Sequence, residues 1–195
     1  MNFLAHIYLS GDDDYIKIGN FMADGIRGHD YLIYPDGIRK GIILHRYIDT
    51  FTDAHTIFRT SKHRLHERYG HYSGVVIDIL YDHFLAKNWT YYSTESLKCF
   101  VKRFYALLCE NFNILSQKTQ RILPTMIEQN WLESYATVEG ISKILFQMDS
   151  RTNFRSKIQF ATEELNKFYD FFEYEFRLFF EELIVYVSNK LKQIH

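Results

Sequence analysis

The sequence predicts an all-α fold: a compact, multi-helix single domain with a long aromatic C-terminal helix. Three observations carry this. Proline occurs only at Pro35 and Pro124, while the chain holds 17 Phe and 15 Tyr, so helix breakers are scarce and large packing side chains abundant. Apolar residues recur at helical spacing, as in Ile38, Ile42, Ile43 and Ile48. No pair of alternating segments reads as two strands.

Helices are expected at 2–9, 13–25, 36–58, 61–69, 72–87, 93–111, 117–132, 138–148 and 159–193. Pro35-Asp36-Gly37 marks entry into the third of them, and Ser73-Gly74 precedes the apolar run of the fifth. For the sixth, Ser93 and Ser96 beside Glu95 supply an N-cap with an acidic first turn. The last carries Phe168, Phe171, Phe172, Phe176, Phe179, Phe180 and Leu183, a stripe that reads as core packing or as a dimer seam, so a homodimer stays open.

A length of 195 residues fits one domain, 1–195, with the chemistry-bearing motifs in 1–90 and packing helices in 91–195. The net charge of -1 argues against nucleic acid or any other polyanion as a wholesale partner. Cys99 and Cys109 lie ten apart in one expected helix, roughly 15 Å along its axis, which excludes a disulfide between them. The start "MNFLAHIYLSGDDD" has no basic region ahead of its apolar run, and no stretch approaches a membrane span. A soluble cytoplasmic protein is expected.

The polar chemistry gathers in the first half, where nearly all the histidines and aspartates fall. In "LHRYIDTFTD", His45 and Asp49 stand four apart, so they share a helix face, and Asp53 continues the line. In "VVIDILYDHFLAKNW", Asp78 and Asp82 repeat that spacing with His83 adjacent, inside a segment that is otherwise apolar. Buried carboxylates are costly unless paired, protonated or metal-bound, and two on one face raise each other's pKa unless a cation lies between them. A hard or borderline divalent metal resolves the conflict, with Asp24 of "GNFMADGIRG" and His6 of "NFLAH" as further ligands or supporting groups. Structural alternatives stand beside this: a His/Asp pair is commonly a local hydrogen bond, Asp53 a capping residue, and His55 surface. Arg27 and Arg46 adjoin the acidic residues and suit either a salt bridge or a phosphate fork. His63, His66 and His71, interleaved with Lys62, Arg64 and Arg68, read as a solvated face or a partner-binding patch.

The blocks "MNFLAHIYLS", "GNFMADGIRG", "GIILHRYIDTFTD" and "DILYDHFLAKNW", in that order, resemble the acyl carrier protein phosphodiesterase family, most strongly over 1–90 and more weakly through "EQNWLESYATVEGISKILFQMDSR" at 128–151. The resemblance implies an HD-like helical protein, divergent from the HD phosphohydrolases, that uses manganese, with magnesium or iron as alternatives. It further implies hydrolysis of the phosphodiester joining 4'-phosphopantetheine to a serine of holo-acyl carrier protein. By motif, Asp24, His45, Asp49, Asp82 and His83 become metal-site residues, with His6 and Asp53 as further candidates. Asp24 or Asp78 would take the water's proton, and Arg27 or Arg46 would offset charge on phosphorus. Here the doublet reads Asp82-His83, the reverse of the usual HD order, so ligands are not carried over one by one. Because acyl carrier proteins are strongly acidic, the resemblance also implies a basic docking surface, for which Arg39, Lys40, Lys62, Arg64 and Arg68 are the candidates. Two other functions fit the residues: a metallophosphohydrolase acting on a nucleotide or other small phosphodiester, and a non-catalytic helical module that binds carrier proteins.

Overall fold

The computed structural model describes residues 2–194, and among them there is no strand. The helices are α1 (Phe3–Tyr8), α2 (Asp14–Met22), α3 (Asp36–Ala54), α4 (Thr56–Tyr69), α5 (Ser73–Lys87), α6 (Trp89–Tyr92), α7 (Leu97–Glu110), α8 (Gln117–Glu128), α9 (Trp131–Ser134), α10 (Val138–Ser150), α11 (Ala161–Lys167) and α12 (Tyr169–Ile194). Short side chains set several starts by accepting amide protons the helix itself leaves unused. Asp13 accepts from Ile16 at 3.0 Å to open α2, Ser96 from Cys99 at 3.2 Å to open α7, and Thr137 from Gly140 at 3.0 Å to open α10.

Some expected helices divide where tertiary packing overrides local propensity. The one at 36–58 stops at Ala54, because His55 takes extended backbone; its ring meets Phe179 edge-on at 5.0 Å and its Nε2 lies 3.2 Å from Glu182. The expected helix over 117–132 ends at Glu128, and Asn130, in the left-handed region at φ 47°, turns the chain into α9. The last breaks at Phe168, leaving α12 as one long rod.

Phe172, Phe176, Phe179, Phe180 and Leu183 of α12 are fully buried, and α12 lies against α3, α4 and α5. The aromatic stripe is therefore core packing, with each buried Phe contributing roughly 1.5–3 kcal/mol. Phe171 points the other way and is exposed. No described helix is long and apolar enough to cross a membrane.

One contact positions everything that follows. A Cβ at Gly19 of α2 would lie 2.2 Å from the Ile38 carbonyl oxygen, and one at Gly41 of α3 would lie 2.3 Å from that of Ile16. Only glycine permits two backbones this close. The approach sets Asn20, next to Gly19, directly against His45, one turn along from Gly41.

Candidate metal centre and cleft

Three elements meet at the end of that contact. His6 comes from the last turn of α1, and His45 and Asp49 from one face of α3. The two imidazoles stack with centroids 4.0 Å apart. Asp49 bridges them: His6 Nε2 lies 3.3 Å from its Oδ1 and His45 Nε2 lies 3.0 Å from its Oδ2. Asp24, in a 3-10 turn after α2, puts Oδ1 3.2 Å from the same His45 nitrogen. Among the described residues, one ligand atom from each of His6, His45 and Asp49 falls within 4.8 Å of the others.

Asn20 orients both rings. Its Nδ2 donates to the His6 carbonyl and to Ser10 Oγ, each at 2.9 Å, which fixes the amide so that Oδ1 faces His6 Nδ1 at 2.8 Å. Its backbone carbonyl receives His45 Nδ1 at 2.9 Å. Since both partners are acceptors, each Nδ1 carries a hydrogen, and both Nε2 atoms turn toward Asp49. In neutral rings those nitrogens present lone pairs to a carboxylate, an arrangement that calls for a cation between them. Two imidazole nitrogens and a carboxylate oxygen are a donor set suited to manganese, iron, zinc or magnesium. The residues fit such an ion.

The protonation states follow the same geometry. Burial, reinforced by the neighbouring His45, pushes His6 down to about 4. Burial also opposes charge on His45, but the Asp24 and Asp49 carboxylates outweigh it and raise that imidazole to about 9. Asp49 is held well below the usual carboxylate range because its contacts with the two imidazoles outweigh its burial. Its bond to His45 lowers Asp24 as well.

Asp82 and His83 go elsewhere. The Asp82 carboxylate, fully buried, accepts the Leu4 amide at 2.8 Å and the Ala5 amide at 3.2 Å, capping the first turn of the helix that carries His6. Burial pushes it up to about 7 against those two amide bonds. His83 donates Nδ1–H to the Tyr135 carbonyl at 2.8 Å and accepts at Nε2 from Tyr169 at 2.9 Å, tying α5 to the start of α12. Burial lowers its pKa.

The group opens into a cleft of about 410 Å³ whose lining includes Asp24, Asp49, Asp53 and Asp78. Burial first, then Asp49 and Asp53, raises the Asp78 carboxyl. The Thr52 hydroxyl is buried in this lining with no hydrogen-bond partner among the described residues. The same lining holds Lys118, Ile122, Trp131, Ile144 and Arg151. Arg27 and Arg46 lie outside the lining: Arg27 is exposed, and Arg46 donates to the Gly28 carbonyl at 2.8 Å while lying over Tyr31.

Asn20, Thr52, Lys118 and Arg151 carry no marking in the sequence reading. Asn20 had a signal, since it stands four residues before Asp24 in the same block. Arg151 only closes the block at 128–151 and Lys118 lies outside every block, so nothing local marks their place in the same cleft as the carboxylates.

Fold and site together define a class: an all-helical protein with an imidazole–carboxylate group whose carboxylates line a cleft shared with cationic and apolar side chains. Comparison with known proteins narrows this. Residues 1–183 match the family model described as acyl carrier protein phosphodiesterase, and the chain belongs to that family. It is 30% identical over 191 residues to the acyl carrier protein phosphodiesterase of Photorhabdus laumondii, covering 97% of this chain and 96% of the relative. Proteins of the same description from an Enterobacter species and from Pectobacterium atrosepticum are 28% and 27% identical, covering 97% and 94% of this chain and 99% and 96% of theirs. No solved structure matches the chain.

Proposed function

We propose that this protein removes 4'-phosphopantetheine from the serine of holo-acyl carrier protein, with His6, His45 and Asp49 holding a divalent ion, manganese in the first instance. The observation that carries the reading is the stacked, Asn20-oriented histidine pair bridged by Asp49 at the base of the cleft. An ion held there supplies Lewis acidity toward a phosphate oxygen.

The chain's own residues do the rest. Asp24, bonded to His45 Nε2, helps hold that imidazole, and Asp82 fixes α1 so that His6 reaches the group. Asp78, whose pKa burial raises, is the stronger base and takes a proton from the attacking water. The water oxygen bonds to phosphorus, the bond from phosphorus to the serine oxygen breaks, and that oxygen leaves as the hydroxyl by taking up the proton that Asp78 accepted from the water. Lys118 and Arg151 line the same cleft as the carboxylates and offset charge on the phosphate oxygens. Trp131, Ile122 and Ile144 give the uncharged remainder of the arm an apolar wall.

Intact-mass spectrometry of holo-acyl carrier protein tests this, using the protein with manganese, with chelator, and as Asp49→Asn. Loss of the 4'-phosphopantetheine mass with manganese alone, abolished by chelator and by the variant, is expected. A carrier unchanged in the presence of manganese would overturn the activity; conversion that persists in chelator would overturn the metal.

A further inference from the structure

We propose that the carrier protein docks on a rim formed by α8 and the 3-10 turn Asp30–Ile33, seating an acidic surface segment across Lys118 and Arg121 and covering Ile33 with an apolar side chain. This rests on the function proposed above and names where its protein substrate sits.

Arg39, Lys40, Arg64 and Arg68 are already committed to carboxylates of this chain. Arg39 and Lys40 pair with Asp36 at 3.0 and 2.9 Å. Arg64 makes a two-pronged bond to Glu175, both contacts at 2.7 Å, and Arg68 reaches Glu163 at 2.6 Å and Glu164 at 2.5 Å. Those guanidinium forks face carboxylates of this chain, so their field on an approaching anion is largely cancelled. No residue of α4 lines the cleft.

Lys118 and Arg121, both exposed on α8, make no ion pair among the described residues. They border a groove of about 550 Å³ in which Asp30 is the one acidic residue, so its charge is net positive. Ile33, at 82% exposed, stands on its edge, and Leu32 beside it is 55% exposed. An apolar residue left this open beside cations that form no ion pair suits an interface with a hydrophobic centre and a charged rim.

Position gives the groove its meaning. Lys118 and Ile122, one helical turn apart, line both the groove and the cleft. A flexible arm attached to a partner seated in the groove has only to pass over α8 to reach Asp49. The Arg64–Arg68 face offers no such shared wall.

The test is direct binding, which needs no turnover. Holo-carrier is titrated into the parent protein, Arg121→Glu and Ile33→Asp by calorimetry at low and moderate salt. Because charge reversal at a docking rim cuts association by about tenfold or more, a comparable loss of affinity is expected for Arg121→Glu, with weaker salt dependence. Ile33→Asp should lose affinity without that change in salt response. In steady-state assays, Arg121→Glu should raise KM for the carrier while kcat holds, and hydrolysis of bis(4-nitrophenyl) phosphate should stay at the parent rate. Unchanged carrier affinity in both variants overturns the docking site, whether or not the protein turns the carrier over. Loss of affinity in Arg39→Glu without loss in Arg121→Glu overturns it too, moving the interface to the α3 face. If the parent binds carrier on this rim but hydrolyses neither substrate, docking stands and the proposed reaction fails.

Discussion

Asn20→Leu isolates what the ring orientation contributes, because leucine nearly matches the side chain's volume while removing every polar atom. The substitution deletes the acceptor for His6 Nδ1 and the donors to the His6 carbonyl and Ser10 Oγ, all in a fully buried site. Leaving such groups unsatisfied costs about 1–3 kcal/mol each at most, and with partial relaxation a net loss of about 3 kcal/mol is expected. In a chain of this size that lowers Tm by roughly 6–12 °C. The backbone carbonyl that holds His45 survives, so only half of the orienting contact disappears. His6 is then free to carry its hydrogen on Nε2, the atom aimed at Asp49, and metal affinity should fall by about 10- to 100-fold. Isothermal titration with manganese at fixed pH measures this, with Tm recorded in parallel with and without the ion. The decisive comparison is between the two losses. A variant that is destabilised as expected yet binds manganese as tightly as the parent would refute the argument, since the ion could not then be reading the His6 tautomer.

Two further outcomes probe the supports of the site. Gly41→Ala places a Cβ 2.3 Å from the Ile16 carbonyl oxygen and 2.7 Å from the Asn20 nitrogen, so α2 and α3 must part; a loss of about 1–3 kcal/mol is expected together with weakened manganese binding, and a variant with the parent's Tm would contradict it. Asp82 bears on pH. An acid whose folded-state pKa is raised takes up its proton in the folded chain before the unfolded one does, so burial of Asp82 opposes folding above pH 7 and that penalty is relieved as pH falls toward the ordinary value of about 4. The stability of the parent relative to Asp82→Asn should therefore decline as pH rises from about 5 to about 8, read from urea midpoints across that window. A constant difference would mean that the Leu4 and Ala5 amides keep the carboxylate charged throughout.

The sequence by itself determined the helical class and one piece of the site. His45 and Asp49 share a face because the pitch of a helix sets the spacing of residues four apart, and nothing beyond α3 is needed to bring them together. It also marked α5 as a buried helix whose polar residues must have partners, since an uncompensated carboxylate is too costly in an apolar setting. What it left undetermined is which partners those are. Asp82 is satisfied by two amides of α1 and His83 by Tyr135 and Tyr169, while His6 crosses from the chain's first helix to face Asp49. Local spacing cannot distinguish a metal from an amide as the answer to a buried charge. Which partner answers each buried group depends on the glycine contact between α2 and α3, which seats Asn20 against both histidines, and on the tertiary packing that brings Lys118 and Arg151 into the same cleft as the carboxylates. Contacts between segments so far apart in the chain depend on how helices meet, and a linear pattern carries no record of that.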